Sequence, residues 1–201
     1  LLPLSAAITL ALPLMPAGDF MSFVALVTVG GILALPFCAS GVVLTLALTR
    51  AGLSPHRAYG VDLIGAAVGC GSVIALLAVL DAPSAALVAG ALAALAAASF
   101  AHAARVRSRL AWGLAIGLAA LGVINGSARL PWLRPAWRKG SFEDLTGYMY
   151  TRWNSYSRVT VEPLQGPPAL WAVGERAPLE IMRPIEQRVV KIDGAAATVM
   201  T

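Results

Sequence analysis

The sequence predicts an α-helical membrane bundle of four to five spans followed by a small antiparallel β subdomain, and three observations lead there. Hydrophobic residues make up 58% of the chain and charged residues only 12%, against about 25% charged in an ordinary soluble domain. Long uncharged runs fill the chain as far as Gly126, whereas most of the acids lie after Gly140. Beyond Gly140 the apolar residues change from continuous runs to a period of two, the spacing of half-buried strands. The expected division is therefore a transmembrane helical domain over residues 1–128, an interfacial linker over 129–152 and a β-strand subdomain over 153–201.

The run from Leu1 to Ala17 is apolar but carries Pro3, Pro13 and Pro16, so it reads either as a kinked membrane helix or as a re-entrant piece. No positively charged stretch precedes Leu1, so it is not a complete signal peptide, and a chain that opens in mid-run is expected to be part of a longer protein. Gly18-Asp19 predicts a turn. Phe20 to Leu48 is uncharged for long enough to span with tilt, with a kink expected near Pro36 and Gly41. Thr49 to Ala58 reads as a polar loop.

Tyr59 to Leu80, YGVDLIGAAVGCGSVIALLAVL, carries a single charge, Asp62. At 1.5 Å per residue it crosses a hydrocarbon layer of about 30 Å. Helical spacing puts Asp62, Gly65, Gly69 and Ser72 on one small, polar face, with Leu63, Cys70, Ile74 and Leu77 elsewhere. The Gly65–Gly69 spacing allows close approach of a second helix, so these two glycines are assigned to helix packing. Asp81-Ala82-Pro83 makes a tight connection, with Pro83 at the start of a helix that runs from Ser84 to about Ala104. That helix is largely alanine, which packs closely, and belongs inside the bundle. Arg105, Arg107 and Arg109 mark an interface before the last span, Leu110 to Asn125.

Charge bias leaves the orientation open. If every span crosses, Arg50, Arg57, Arg105, Arg107 and Arg109 share one side while Arg129, Arg134, Arg138 and Lys139 share the other. If the last span lies flat or re-enters, all nine fall on the cytoplasmic side.

Leu130 to Lys139, LPWLRPAWRK, interleaves Trp132 and Trp137 with cations, the composition of an anchor at headgroup depth rather than of a nucleic-acid surface. The net charge of +5 has the same membrane explanation. In the tail, Ser157, Val159 and Val161 alternate with Arg158, Thr160 and Glu162 as one strand. Ala169 to Val173 is a second apolar run and Arg188 to Asp193 a third, closing at the hairpin signal Asp193-Gly194. Gly166-Pro167-Pro168 and the Pro178 and Pro184 region read as loops.

Few residues suggest chemistry. Asp62 is an ionisable group in a membrane run: it is either a structural acid favoured near a helix start, within reach of Arg57, or a site for a cation, with Tyr59 as its amphipathic wall. Trp153, Asn154, Tyr156 and Arg158 form either a structural corner or a ligand contact. Asn125-Gly126-Ser127 fits a glycosylation sequon but reads better as a terminating turn. His56 and His102 stand without a second ligand nearby, and Cys38 and Cys70 read as small hydrophobes, so no metal is expected. Gly69-Cys70-Gly71 fails as a dinucleotide fingerprint because Ile74 takes the last glycine position and no strand precedes it.

The order LALTRAGLSPHRAYGVDLIGAAVG, an Ala-rich span, YTRWNSYSRVTV and VVKIDGAAATVMT resembles the membrane-fused, spermidine-synthase-like proteins of bacteria. The likeness runs from Leu44 onward and is most specific at Arg57 to Gly69, Trp153 to Val161 and Ile192 to Thr198. It implies an inner-membrane, multi-pass protein in which a short sheet follows the helices and precedes a Rossmann-like domain that takes decarboxylated S-adenosylmethionine. The segment from Trp153 is similar to the N-terminal strands of soluble spermidine synthases, which help bind polyamine and assemble oligomers, and Asp193-Gly194 matches the turn of their LDG motif. Tyr59, Asp62, Trp153 and Asp193 are therefore the candidate contacts for a polyamine or similar cation. Ala197 departs from the family, which has a pocket-forming glutamine there. The resemblance implies that this stretch is a membrane anchor and substrate-fronting sheet without catalytic residues or cofactor of its own. The alternative is a transporter or binding module for a cationic small molecule.

Overall fold

Where the solvent offers no hydrogen bonds, a backbone must satisfy its own, and uncharged runs of this length coil into helices. The computed structural model describes residues 1–11, 20–50, 52, 54–128, 131–138, 141–143, 145–168, 183–194 and 196–200. These form two compact units, Leu1–Phe142 and Glu143–Thr201, each taken here on its own. The first holds five helices: α1 (Leu2–Ala11), α2 (Phe20–Arg50), α3 (Pro55–Val79), α4 (Ala82–Ala103) and α5 (Arg109–Ser127). Of these, α2 to α5 are each long and apolar enough to cross a membrane. A short antiparallel pair, β1 (Trp137–Arg138) and β2 (Ser141–Phe142), closes the unit.

Local chemistry sets most helix ends. Ser54 is extended and Pro55 opens α3 with its φ already fixed and no N–H to waste. Helix α3 therefore begins four residues before Tyr59, so Pro55 to Ala58 of the expected polar loop are helical, as are Thr49 and Arg50 at the end of α2. His56, expected in that loop, sits in the first helical turn, 3.3 Å from Ser54 Oγ through Nε2. Polar residues ended the apolar run without ending the helix. Helix α2 likewise runs unbroken through Pro36 and Gly41. At α4, Asp81 Oδ1 accepts the Ser84 N–H at 2.7 Å, a cap worth about 1 kcal/mol, and Pro83 falls in the first turn. Ser108 Oγ caps α5 through the Ala111 N–H.

Between α4 and α5 the chain turns through a Schellman closure. The Val106 N–H reaches back to Ala101 O at 2.9 Å and the Arg105 N–H to His102 O at 3.0 Å. The motif puts Arg105 at φ +57°, where glycine is the usual residue and a side chain costs about 1–2 kcal/mol.

The expectation that α4 lies inside the bundle agrees with its burial: 28% of its most apolar stretch is buried, against none in α2 or α3. Helix α5 packs antiparallel on α4 through Gly122 and Gly126. A Cβ on Gly122 would stand 3.0 Å from Val88 Cγ2 and 3.1 Å from Ser84 O; one on Gly126 would stand 2.7 Å from Leu80 Cδ2. Buried alanines Ala91, Ala98, Ala111 and Ala115 continue the contact. Pro3 of α1 packs on Gly90, where a Cβ would collide with its ring.

The second unit is a four-stranded antiparallel meander in sequence order: β3 (Tyr150–Trp153), β4 (Arg158–Gly166), β5 (Ile185–Ile192) and β6 (Ala196–Met200). A 3₁₀ turn over Leu145–Gly147 precedes it. The register pairs Trp153 with Arg158, Thr160 with Lys191 and Ile192 with Ala196. Asp193 (φ 49°) and Gly194 (φ 73°) both adopt the left-handed conformation that this turn requires, so the hairpin expected at this dipeptide forms. The strands expected around Val159 and Val190 are present; the Gly18-Asp19 turn and the run Ala169 to Val173 lie outside the described residues.

Candidate functional site

Paired residues of an antiparallel sheet share a face, so Trp153, Arg158, Thr160, Glu162 and Lys191 point to one side and Val159, Val161, Val190 and Ile192 to the other. Hydrophobicity alone would bury the valines. Instead Arg158 is 6% exposed and Thr160 fully buried, while Val159 and Val161 are only half-buried. For Arg158 partnering explains the inversion; Thr160 Oγ1 is buried without a hydrogen-bond partner among the described residues. The Arg158 guanidinium meets Glu143, itself 5% exposed, and the same carboxylate oxygen accepts the Tyr148 hydroxyl at 2.6 Å. A buried ion pair holds when its Coulomb and hydrogen-bond terms offset desolvation, and here both groups come from one small unit. Along the same face Lys191 pairs with Glu162.

Two of the residues singled out in the sequence converge on this corner. The Trp153 ring lies 5.8 Å from Arg158 Cζ, within cation–π range. Asp193 brackets the Arg158 backbone: its Oδ1 accepts the Arg158 N–H at 2.8 Å, and its own N–H donates to Arg158 O at 2.9 Å. Asn154 closes the β3–β4 hairpin, its Oδ1 accepting the N–H groups of Tyr156 and Ser157 at 2.8 and 2.7 Å. Tyr156 projects outward at 91% exposure. All of these contacts are made within the sheet unit.

A cavity among the described residues of this unit lies elsewhere. It measures about 500 Å³ at the other end of β4 and β5, between Met149, Pro163, Gln165, Glu186, Arg188 and Met200, and neither Trp153 nor Asp193 lines it.

In the helical unit Tyr59 and Asp62 are both exposed, one turn apart on α3. Among the described residues Asp62 has no hydrogen-bond or ion-pair partner, so the pairing with Arg57 does not form within the chain. Gly65 and Gly69 continue that face with no neighbouring heavy atom within 4 Å. The packing role expected of them is not filled by any described helix of this chain; the close contact falls on Gly122 and Gly126 instead. That pair has the same four-residue spacing and was legible as such.

The fullest polar centre of this unit was not anticipated. Asn125, completely buried, donates through Nδ2 to Ser84 Oγ at 2.8 Å and to Leu133 O at 3.1 Å, and accepts the Leu133 N–H at 2.9 Å. The amide thus stands in for a strand partner and fastens the segment leaving α5. The sequon reading fails for the same reason, since Asn125 is inaccessible, and the turn reading holds, with the Ala128 N–H bonded to Asn125 O at 3.2 Å. Trp132 and Arg134 beyond it are exposed, as an interfacial anchor requires.

Set against known proteins, the chain matches no family model, no curated protein and no solved structure.

Proposed function

We propose that the chain is the membrane anchor and substrate-fronting sheet of a bacterial inner-membrane protein of the spermidine-synthase-like kind, a homo-oligomer whose aminopropyl donor, decarboxylated S-adenosylmethionine, binds outside this stretch. One observation carries the reading: four span-length helices are followed by a separate antiparallel meander whose corner is built from the residues of the resemblance, Trp153, Arg158 and Asp193. Ala197 lies on β6 in register with Lys191, so where the soluble enzymes have a glutamine this strand offers a methyl group. The reading therefore favours a related acceptor over spermidine synthesis itself. Titrating the purified chain in micelles with putrescine and spermidine tests it. Saturable heat that Trp153→Ala abolishes is expected; no binding of either amine would remove the polyamine assignment.

A second reading, a carrier or binding module for a cationic small molecule, is favoured by the unpartnered Asp62 carboxylate beside Tyr59. It predicts that Asp62→Asn lowers putrescine uptake into proteoliposomes at least tenfold. The anchor reading predicts no uptake in either protein.

A further inference from the structure

The connection between α4 and α5 holds a cleft of about 310 Å³, lined by Ala98, His102, Arg107, Ser108, Arg109 and Trp112. It opens where two span-length apolar helices end, the depth at which lipid phosphates lie. Two guanidiniums and an imidazole edge the cleft, a third guanidinium, Arg105, sits on the same connection, and none of the three arginines has a carboxylate partner among the described residues. Trp112, one turn into α5 and 54% exposed, supplies an amphipathic ring against which a glycerol backbone packs.

The backbone of this connection gives a second reason to look for a ligand. Arg105 occupies the left-handed position of the Schellman turn, where glycine would be better suited. The residue that stands there instead adds a third positive charge to the connection that carries the cleft.

We propose that this cleft seats the phosphate of an anionic membrane glycerophospholipid, with Arg107 and Arg109 on the phosphate oxygens, Arg105 adding long-range attraction and Trp112 against the glycerol. Arginine suits the task because its planar fork meets two phosphate oxygens at once. The site depends only on α4 and α5 lying in a bilayer and is independent of the polyamine assignment.

Native mass spectrometry of the whole chain, released from nanodiscs of phosphatidylglycerol or of phosphatidylcholine, tests it. The unaltered chain is expected to retain phosphatidylglycerol preferentially. R107Q/R109Q loses both guanidinium forks that hydrogen-bond the phosphate and is expected to bind at least about tenfold more weakly. R50Q/R57Q, which removes the same charge from the α2–α3 connection, is expected to bind normally. R105G is the sharpest variant: retention falls while the thermal midpoint rises. In the unaltered chain, phosphatidylglycerol should slow hydrogen exchange at residues 105–112, a measurement that needs no variant. Millimolar inorganic phosphate distinguishes the sources: a lipid seat keeps its phosphatidylglycerol, whereas displacement reassigns the same arginines to free phosphate. Equal loss in R107Q/R109Q and R50Q/R57Q, or exchange at residues 105–112 indifferent to the lipid, overturns the proposal.

Discussion

At the end of α5 the buried polar side chain is an amide; at the entry to the sheet it is a carboxylate. Asn125 ties the departing chain to α4 with three neutral hydrogen bonds, whereas Glu143 ties the arriving chain to β4 through a guanidinium and a phenol. The difference lies in the partners. Between helices apolar enough to cross a membrane an unpaired ion would be very costly, and a neutral amide gives enough direction. In the sheet unit the ions are buried as well, at 6% and 5% exposure, and it is their pairing that offsets the cost of leaving water. Satisfaction also differs: Asn125 uses both ends of its amide, while Glu143 Oε2 is buried without a partner among the described residues.

The carboxylate therefore carries the larger penalty when broken. Glu143→Ala leaves the Arg158 guanidinium buried and alone, and is expected to lower the opening free energy of β3–β6 by about 3–5 kcal/mol, measured by hydrogen exchange. Pairing Glu143→Leu with Arg158→Met should recover most of that loss, because two apolar groups of similar volume need no compensation. A double variant as unstable as the single one would show that the corner depends on shape rather than charge.

Asn125→Ala should cost less, about 1–3 kcal/mol in thermal unfolding in micelles, because the groups it leaves unpaired are neutral. The same change should free Trp132, read as faster quenching of indole fluorescence by a water-soluble quencher. Asn125→Asp sharpens the point. It keeps the acceptor for the Leu133 N–H but brings a charge into the helix contact, so it should be worse than alanine.

The helices and strands were readable because a membrane span needs one long uncharged run and a half-covered sheet a period of two, and Asp193-Gly194 carries its own turn chemistry. Arg158 shows where that reading stops. A period of two says that the faces of β4 differ, but which face is covered depends on Glu143, fifteen residues earlier, and the sequence holds no local sign of that contact. Asn125 was hidden for the same reason, since its partners Ser84 and Leu133 come from a neighbouring helix and from the segment beyond its own. Gly122 and Gly126 were as visible as Gly65 and Gly69. Spacing names the glycines that allow a close contact and is silent about which helix arrives.

The glycines also supply the smallest effect, one distinguished by its sign. On Gly122 a Cβ meets Ser84 O, a backbone atom that cannot swing aside, so Gly122→Ala should destabilise the chain by about 1 kcal/mol despite the better helix propensity of alanine. On Gly69 the added methyl meets no neighbour within 4 Å, so Gly69→Ala should be neutral or stabilising by up to about 1 kcal/mol, the ordinary gain of alanine in a helix. Both are read as shifts in thermal midpoint in dilute micelles, where copies are separated. Repeating the pair in crowded bilayers separates two uses of the α3 face. If a helix from another copy packs there, the gain at Gly69 turns into a loss as the protein-to-lipid ratio rises; if lipid covers it, the sign holds at every ratio.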